Sequence, residues 1–342
     1  MTIRQNSGKI TVLGAGSWGT ALAFILADSG KAVTLWDRTP SLIQEVNGSH
    51  TDSRYLPGLQ LPKSIVGTSD IDDAVENASV IVVAVPSDAI REVMAKVAPA
   101  LKSPAVLVSA AKGLEAETGM TMTEVVHSLI PASCCRGLVA LSGPNLAREV
   151  VKGVPSVCVV AGADREINRE IQDLFMSETF RVYTHMDIRG VELAGALKNV
   201  LAIGAGVCEG LGFGDNTRAA MMTRGLMEMT QIGVAAGAQA LTFLGIAGVG
   251  DLMATSGSKL SRNYRVGIGL ARGEKLKSVL SEIGQAAEGV PTSVAAYAIA
   301  RRLGVSTPLF DTIHDVILGR LAPNTAVSEL MRRPPKDEAS GF

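Results

Sequence analysis

From Lys9 to Thr184 the chain alternates short, nearly uncharged runs with amphipathic stretches, and this alternation predicts a sheet of mostly parallel strands interleaved with helices. The runs Lys9 to Leu13, Lys31 to Trp36, Ser79 to Val85, Ala105 to Ser109, Leu138 to Leu141, Pro155 to Val160 and Phe180 to Tyr183 are rich in valine, isoleucine and alanine. Continuous apolar strands of this kind suit a sheet covered on both faces. Beyond Thr184 the strand signal stops. Thr217 to Ala236, Ala238 to Thr255, Arg262 to Arg272, Lys275 to Ile283, Pro291 to Leu303 and Pro308 to Gly319 then read as helices punctuated by glycine and serine. The expected organisation is an α/β domain over residues 1–187, an all-helical domain over 188–330 and a loose, proline-bearing tail over 331–342.

Two segments of the helical half stand out because each is apolar yet carries a lone charge. Between Leu193 and Cys208 that charge is Lys198, and in Leu241 to Ala254 it is Asp251. An amine among leucines and valines is costly to desolvate, so it snorkels, pairs with an acid or does chemistry. Bringing the two opposite charges together relieves both. The pair is then either a structural ion pair or the centre of a site.

The opening of the chain carries a second signal. Gly14, Gly16 and Gly19 stand in G-x-G-x-x-G spacing between a predicted strand and the helical TALAFILADSG. In that context the first glycine makes a tight turn, the second admits a pyrophosphate and the third allows close helix packing, which predicts a Rossmann-type dinucleotide site. The next strand ends in Asp37-Arg38. An acid there suits the ribose of NAD and an arginine the extra phosphate of NADP, so either cofactor is expected. Arg38 also reads as a solvated turn residue. Lys112, Gly143 and Asn145 each follow a strand end, where ligands of open α/β sheets gather, although a lysine in a loop is commonly just solvated. Ser261-Arg262-Asn263 reads either as an ordinary capped helix or as an anion site made of a serine N-cap, a guanidinium and free backbone N–H groups.

Composition narrows the classes of partner. With 342 residues and a formal net charge of −1, the chain has ample core and offers no electrostatic case for nucleic acid or an anionic membrane. The uncharged stretch Ile10 to Ala27 resembles a signal peptide or short span, but its glycines and its switch from β-branched to helical composition argue against membrane insertion. Cys134, Cys135, Cys158 and Cys208 lack C-x-x-C spacing and read as reduced thiols of a cytoplasmic protein. The four histidines show no ligand spacing, so no metal is expected.

Taken together, GAGSWGTALA, AAKGLE, SGP, ELAGALKNVLAIGAG, GVGDL, SRN and AAEG resemble the corresponding motifs of bacterial NAD(P)-dependent glycerol-3-phosphate dehydrogenases from about Lys9 to Ala326. The resemblance implies reversible reduction of dihydroxyacetone phosphate to sn-glycerol 3-phosphate, feeding glycerophospholipid synthesis. It implies that Ser17, Trp18, Arg38, Lys112, Ala147, Arg262, Ala286 and Glu288 contact NAD or NADP. It places the substrate on Lys112, Gly143, Asn145, Lys198, Asp251, Ser261, Arg262 and Asn263, with Lys198 as the acid/base. Burial should lower the pKa of that lysine while Asp251 opposes the shift. Asn145 and Leu146 depart from the usual threonine and phenylalanine, which bears on substrate affinity. The apolar helices permit a homodimer. The rivals are another dehydrogenase of this layout, acting on a hydroxyacyl or sugar-acid substrate, and a non-catalytic dinucleotide sensor.

Overall fold

The computed structural model describes residues 8–335, 337 and 338. Of the expected tail, residues 336 and 339–342 therefore lie outside the described residues. Met331, at its start, closes a helix, Pro323–Met331, that the hydrophobic pattern did not announce. The chain divides into two compact units. One comprises the residues through 111 together with 122–141 and 145–188; the other comprises 112–121, 142–144 and everything from 189 onward.

The first unit is built on an eight-stranded sheet of order β3-β2-β1-β4-β5-β6-β7-β8. Its strands are β1 (Lys9–Leu13), β2 (Val33–Trp36), β3 (Ile65–Thr68), β4 (Ala78–Val83), β5 (Ala105–Ser109), β6 (Cys135–Ser142), β7 (Ser156–Gly162) and β8 (Phe180–His185). Seven of these follow the expected runs. The eighth, β3, was hidden by its brevity and by Gly67, and its Val66 is exposed at the sheet edge. Parallel pairing runs from β3 through β2, β1, β4 and β5 to β6, and again between β7 and β8. Strand order reverses between β1 and β4, the point at which open sheets of this kind bind ligands beyond their carboxyl ends. Val80, Val82, Val106 and Val108 are fully buried and form the middle of the core with Leu22, Leu26 and Leu35. At about 1.5–3 kcal/mol for each large apolar side chain removed from water, these strands supply much of the force holding the unit together.

The second unit is helical and is centred on Ile188–Gly210, whose side chains from Gly190 to Cys208 are all buried. It is the one described helix long and apolar enough to cross a membrane, and its apolar window lies wholly inside the protein. Helix Arg262–Ala271 crosses it at backbone contact. A Cβ at Gly206 would stand 2.0 Å from the Tyr264 carbonyl oxygen, and one at Gly267 would stand 2.0 Å from that of Ile203. No other residue permits this approach.

The single helix expected over Ala238 to Thr255 is broken. A short helix, Ala240–Phe243, gives way to a π-helical turn, Ile246–Gly250, which feeds directly into Asp251–Ser256. Gly248 allows the break, because a Cβ there would stand 2.0 Å from the Phe243 carbonyl oxygen. Such π turns widen a helix and re-aim the side chains that follow, here beginning with Asp251.

Candidate active site

In the helical unit, Asp251 stands between two lysines. Its Oδ1 lies 3.0 Å from the Lys198 ammonium, and its Oδ2 accepts from the Lys112 ammonium at 2.8 Å. Lys198 and Asp251 are 4% and 2% exposed, so both charges are withdrawn from water. Lys198 also donates to the Thr255 hydroxyl at 2.6 Å, and that hydroxyl donates to Asp251 Oδ1 at 3.1 Å. Lys112 donates in addition to the Gly143 carbonyl at 2.6 Å. Of the three protons on Lys198, two are thus directed at named acceptors.

The electrostatics follow from this arrangement. Burial drives the Lys198 amine down, Asp251 opposes it, and the positive charges of Lys112 and Arg262 add to the depression, leaving its pKa at about 8. Burial would raise the Asp251 carboxyl, but the two lysines more than offset this and hold it below the ordinary carboxylate range. The cluster therefore holds one permanent anion, one ammonium and one amine able to change state near neutrality. A lysine tuned in this way is suited to proton transfer.

A second layer of hydrogen bonds fixes the cluster. Asn199 donates to the Lys112 carbonyl at 3.0 Å and accepts from the Asn263 amide at 2.9 Å. Asn263 in turn accepts the Gly289 N–H at 2.9 Å. Ser261 caps Arg262–Ala271 by accepting the Tyr264 N–H at 3.3 Å, as its position before Arg262 predicts. The first N–H groups of that helix have no intrahelical acceptor and share the positive end of its dipole, beside Arg262. Both ends of the Asn263 side-chain amide are thus engaged, one by Asn199 and the other by the Gly289 N–H.

Thus Lys112, Gly143, Lys198, Asp251 and Asn263 come together in one hydrogen-bonded network, with Arg262 within electrostatic reach of Lys198. Ala286 is exposed, and Glu288 precedes the helix Gly289–Leu303. Two members of the network, Asn199 and Thr255, were not anticipated. Asn199 follows the noted lysine directly, and Thr255 lies one helical turn beyond Asp251.

The sheet unit holds the glycine loop. Gly14 has φ +106°, a conformation reserved in practice for glycine. A Cβ at Gly19 would fall 1.8 Å from the Gly14 carbonyl oxygen, whereas one at Gly16 would meet no atom within 4 Å. Turn, open approach and close packing therefore occur at the three glycines in the order a pyrophosphate site requires, and the helix Ser17–Asp28 starts at the loop. Trp18 packs against the sheet core, its ring 6.5 Å from that of Phe180, and Arg38 is exposed after the end of β2. Asp37 is tied to backbone at both of its oxygens. Its carboxylate accepts the Ala15 and Thr39 N–H groups, each at 3.0 Å. Asn145 belongs to this unit, as does Ala147 at the start of the short helix Ala147–Val150. The Asn145 amide donates to the Val157 carbonyl at 2.9 Å, and its buried oxygen has no hydrogen-bond partner. Among the described residues no cluster of histidine, cysteine and carboxylate groups could hold a metal ion.

Comparison with known proteins identifies the relatives of this chain. Residues 9–168 match the family described as NAD-dependent glycerol-3-phosphate dehydrogenase N-terminus, and residues 187–328 match its C-terminal counterpart. The chain is 43% identical over 334 residues to the glycerol-3-phosphate dehydrogenase [NAD(P)+] of Carboxydothermus hydrogenoformans, covering 98% of this chain and 99% of that protein. It is 44% identical over 325 residues to the Bacillus subtilis protein of the same name, covering 95% and 94%. The crystal structure of glycerol-3-phosphate dehydrogenase from Coxiella burnetii superposes with a TM-score of 0.91 at 35% identity, covering 95% of this chain and 99% of that one.

Proposed function

This chain belongs to the NAD-dependent glycerol-3-phosphate dehydrogenase family, and from that premise we propose how its residues carry out the reaction. The enzyme interconverts dihydroxyacetone phosphate and sn-glycerol 3-phosphate with NAD(P)H or NAD(P)+. When bound, the dinucleotide supplies or takes up the hydride. Reduction of the ketone leaves negative charge on its oxygen, and the Lys198 ammonium delivers a proton there, so that carbonyl, hydride and proton become a secondary alcohol. In the oxidative direction the neutral amine takes the hydroxyl proton. The observation that carries this assignment is a lysine ammonium buried from water, 3.0 Å from Asp251 Oδ1 and 2.6 Å from the Thr255 hydroxyl, where burial lowers its pKa to about 8.

Asp251 and Thr255 orient the amine, and Lys112 balances the Asp251 charge while adding a positive charge for an anionic substrate. We assign the substrate phosphate to Arg262, Ser261 and Asn263 at the helix start, and the remainder of the substrate to Lys112, Gly143, Asn145 and Asp251. Binding energy from the phosphate, remote from the reacting carbon, then orients the ketone for hydride transfer. The open approach at Gly16 supports the glycine loop as the pyrophosphate site, with Ser17, Trp18, Arg38 and Ala147 at the cofactor on the sheet unit and Lys112, Arg262, Ala286 and Glu288 on the helical unit. The same reading makes residues 1–187 the dinucleotide-binding domain and 188–330 the catalytic one. It makes the protein a cytoplasmic enzyme serving glycerophospholipid synthesis, with apolar surface that permits a homodimer. Exposed Leu241, Leu244 and Met253 offer apolar surface for such an association.

The decisive assay follows NADH and NADPH oxidation with dihydroxyacetone phosphate and, in parallel, with dihydroxyacetone. Turnover of the phosphorylated ketone alone is expected. Equal turnover of both ketones, or of neither, overturns the assignment.

A further inference from the structure

An acid at the end of the second strand of a dinucleotide-binding sheet ordinarily takes the adenosine ribose hydroxyls. Asp37 occupies that position, yet both of its carboxylate oxygens face backbone of its own unit. Oδ2 accepts the N–H of Ala15, which lies between the first two glycines of the loop, and Oδ1 accepts the N–H of Thr39, each at 3.0 Å. Two backbone bonds complete the tie. The Gly14 N–H donates to the Trp36 carbonyl at 2.8 Å, and the Asp37 N–H donates to the Thr68 carbonyl at 3.2 Å. The loop that meets the pyrophosphate is thereby fastened to the end of β2, and the fastening is charge-assisted at Asp37. Next to it Arg38 is exposed, with its charge felt by Glu92.

We propose that Asp37 is a positioning residue that holds the glycine loop in its pyrophosphate-binding shape, so that NADH and NADPH depend on it equally and it does not select between them. The proposal rests on the reading of the loop as the dinucleotide site. A ribose ligand would distinguish the two cofactors, because the 2′-hydroxyl it grips in NADH is a phosphate in NADPH. A loop brace acts through the pyrophosphate, which the two share.

The test is calorimetric titration of NADH and of NADPH into wild type, Asp37→Asn and Asp37→Ala, well below each variant's thermal unfolding. Asparagine retains one acceptor oxygen at nearly unchanged size, so it keeps the question answerable if the alanine variant does not fold. The expected result is a rise of about tenfold in Kd for both cofactors with asparagine, a larger rise with alanine, and an NADH to NADPH ratio held within about twofold. Weakened NADH with unchanged or tightened NADPH overturns the proposal, as does a Kd that moves for neither. Because the titration needs no ketone, it is independent of the assigned reaction. A wild type that binds neither dinucleotide would instead refute the reading of the loop itself.

Discussion

Lys112 and Lys198 occupy opposite oxygens of one carboxylate: Asp251 holds the first through Oδ2 at 2.8 Å and the second through Oδ1 at 3.0 Å. With two cations on one buried anion, the cluster is short of negative charge. An amine there sheds its proton more readily than an ordinary lysine. The surplus of positive charge also suits a phosphorylated ketone.

Replacing Lys198 with alanine should lower kcat by about 10²–10⁴, the usual contribution of a positioned general acid. Dissociation constants for NADH and NADPH should stay near wild type, since the glycine loop is untouched. Stopped-flow turnover beside equilibrium titration checks both halves; a variant with near-wild-type kcat removes Lys198 from the chemistry.

Asp251→Asn removes the group that opposes the depression of Lys198, so the amine should titrate still lower. The pH at which ketone reduction declines should move down. Two cations left without their counter-ion should also destabilise the fold by about 3–5 kcal/mol, the usual cost of halving a buried pair. Denaturant unfolding and the pH profile of kcat read these effects separately.

Arg262→Ala should raise KM for dihydroxyacetone phosphate by at least tenfold, in line with about 1.5–3 kcal/mol for a hydrogen bond to a charged group. Cofactor saturation should change less. An unchanged KM moves the phosphate site elsewhere.

Glu228 makes a separate prediction about stability. Its buried carboxylate accepts the Leu309 and Phe310 N–H groups at the start of helix Pro308–Ile317, yet burial outweighs these bonds and raises its pKa from 4.5 to about 7. A carboxyl raised in the folded state binds more protons there than in the unfolded chain between those two values. Its contribution is therefore full below pH 4.5 and is lost as pH rises through about 7. Measured against Glu228→Gln, wild type should lose up to roughly 3 kcal/mol of relative stability across that window. A difference that does not vary with pH contradicts the assignment.

Much of the sheet was legible because strands such as Ala78–Val83 and Ala105–Ser109 are buried on both faces and so must be continuously apolar. Ile65–Thr68, at the sheet edge, is free of that demand and left little trace. Lys198 and Asp251 declared themselves because a lone charge in an apolar helix needs a partner. Asn199 and Thr255 did not, since uncharged polar side chains sit in helices for many reasons and only the fold reveals whom they bind. The turn that aims Asp251 was equally silent. Its glycines are compatible with an ordinary helix until Phe243 is known to press against Gly248. The bond from the Asn145 amide to the Val157 carbonyl of β7 was silent too, because it joins residues twelve apart that only the fold brings together.

The most direct test of Lys198 as the proton carrier is the pH dependence of kcat in both directions, for wild type and Lys198→Ala. In wild type, ketone reduction should fall and alcohol oxidation should rise through a shared apparent pKa near 8. Both limbs should vanish in the variant. Limbs near that value that persist without Lys198 would show that another group moves the proton.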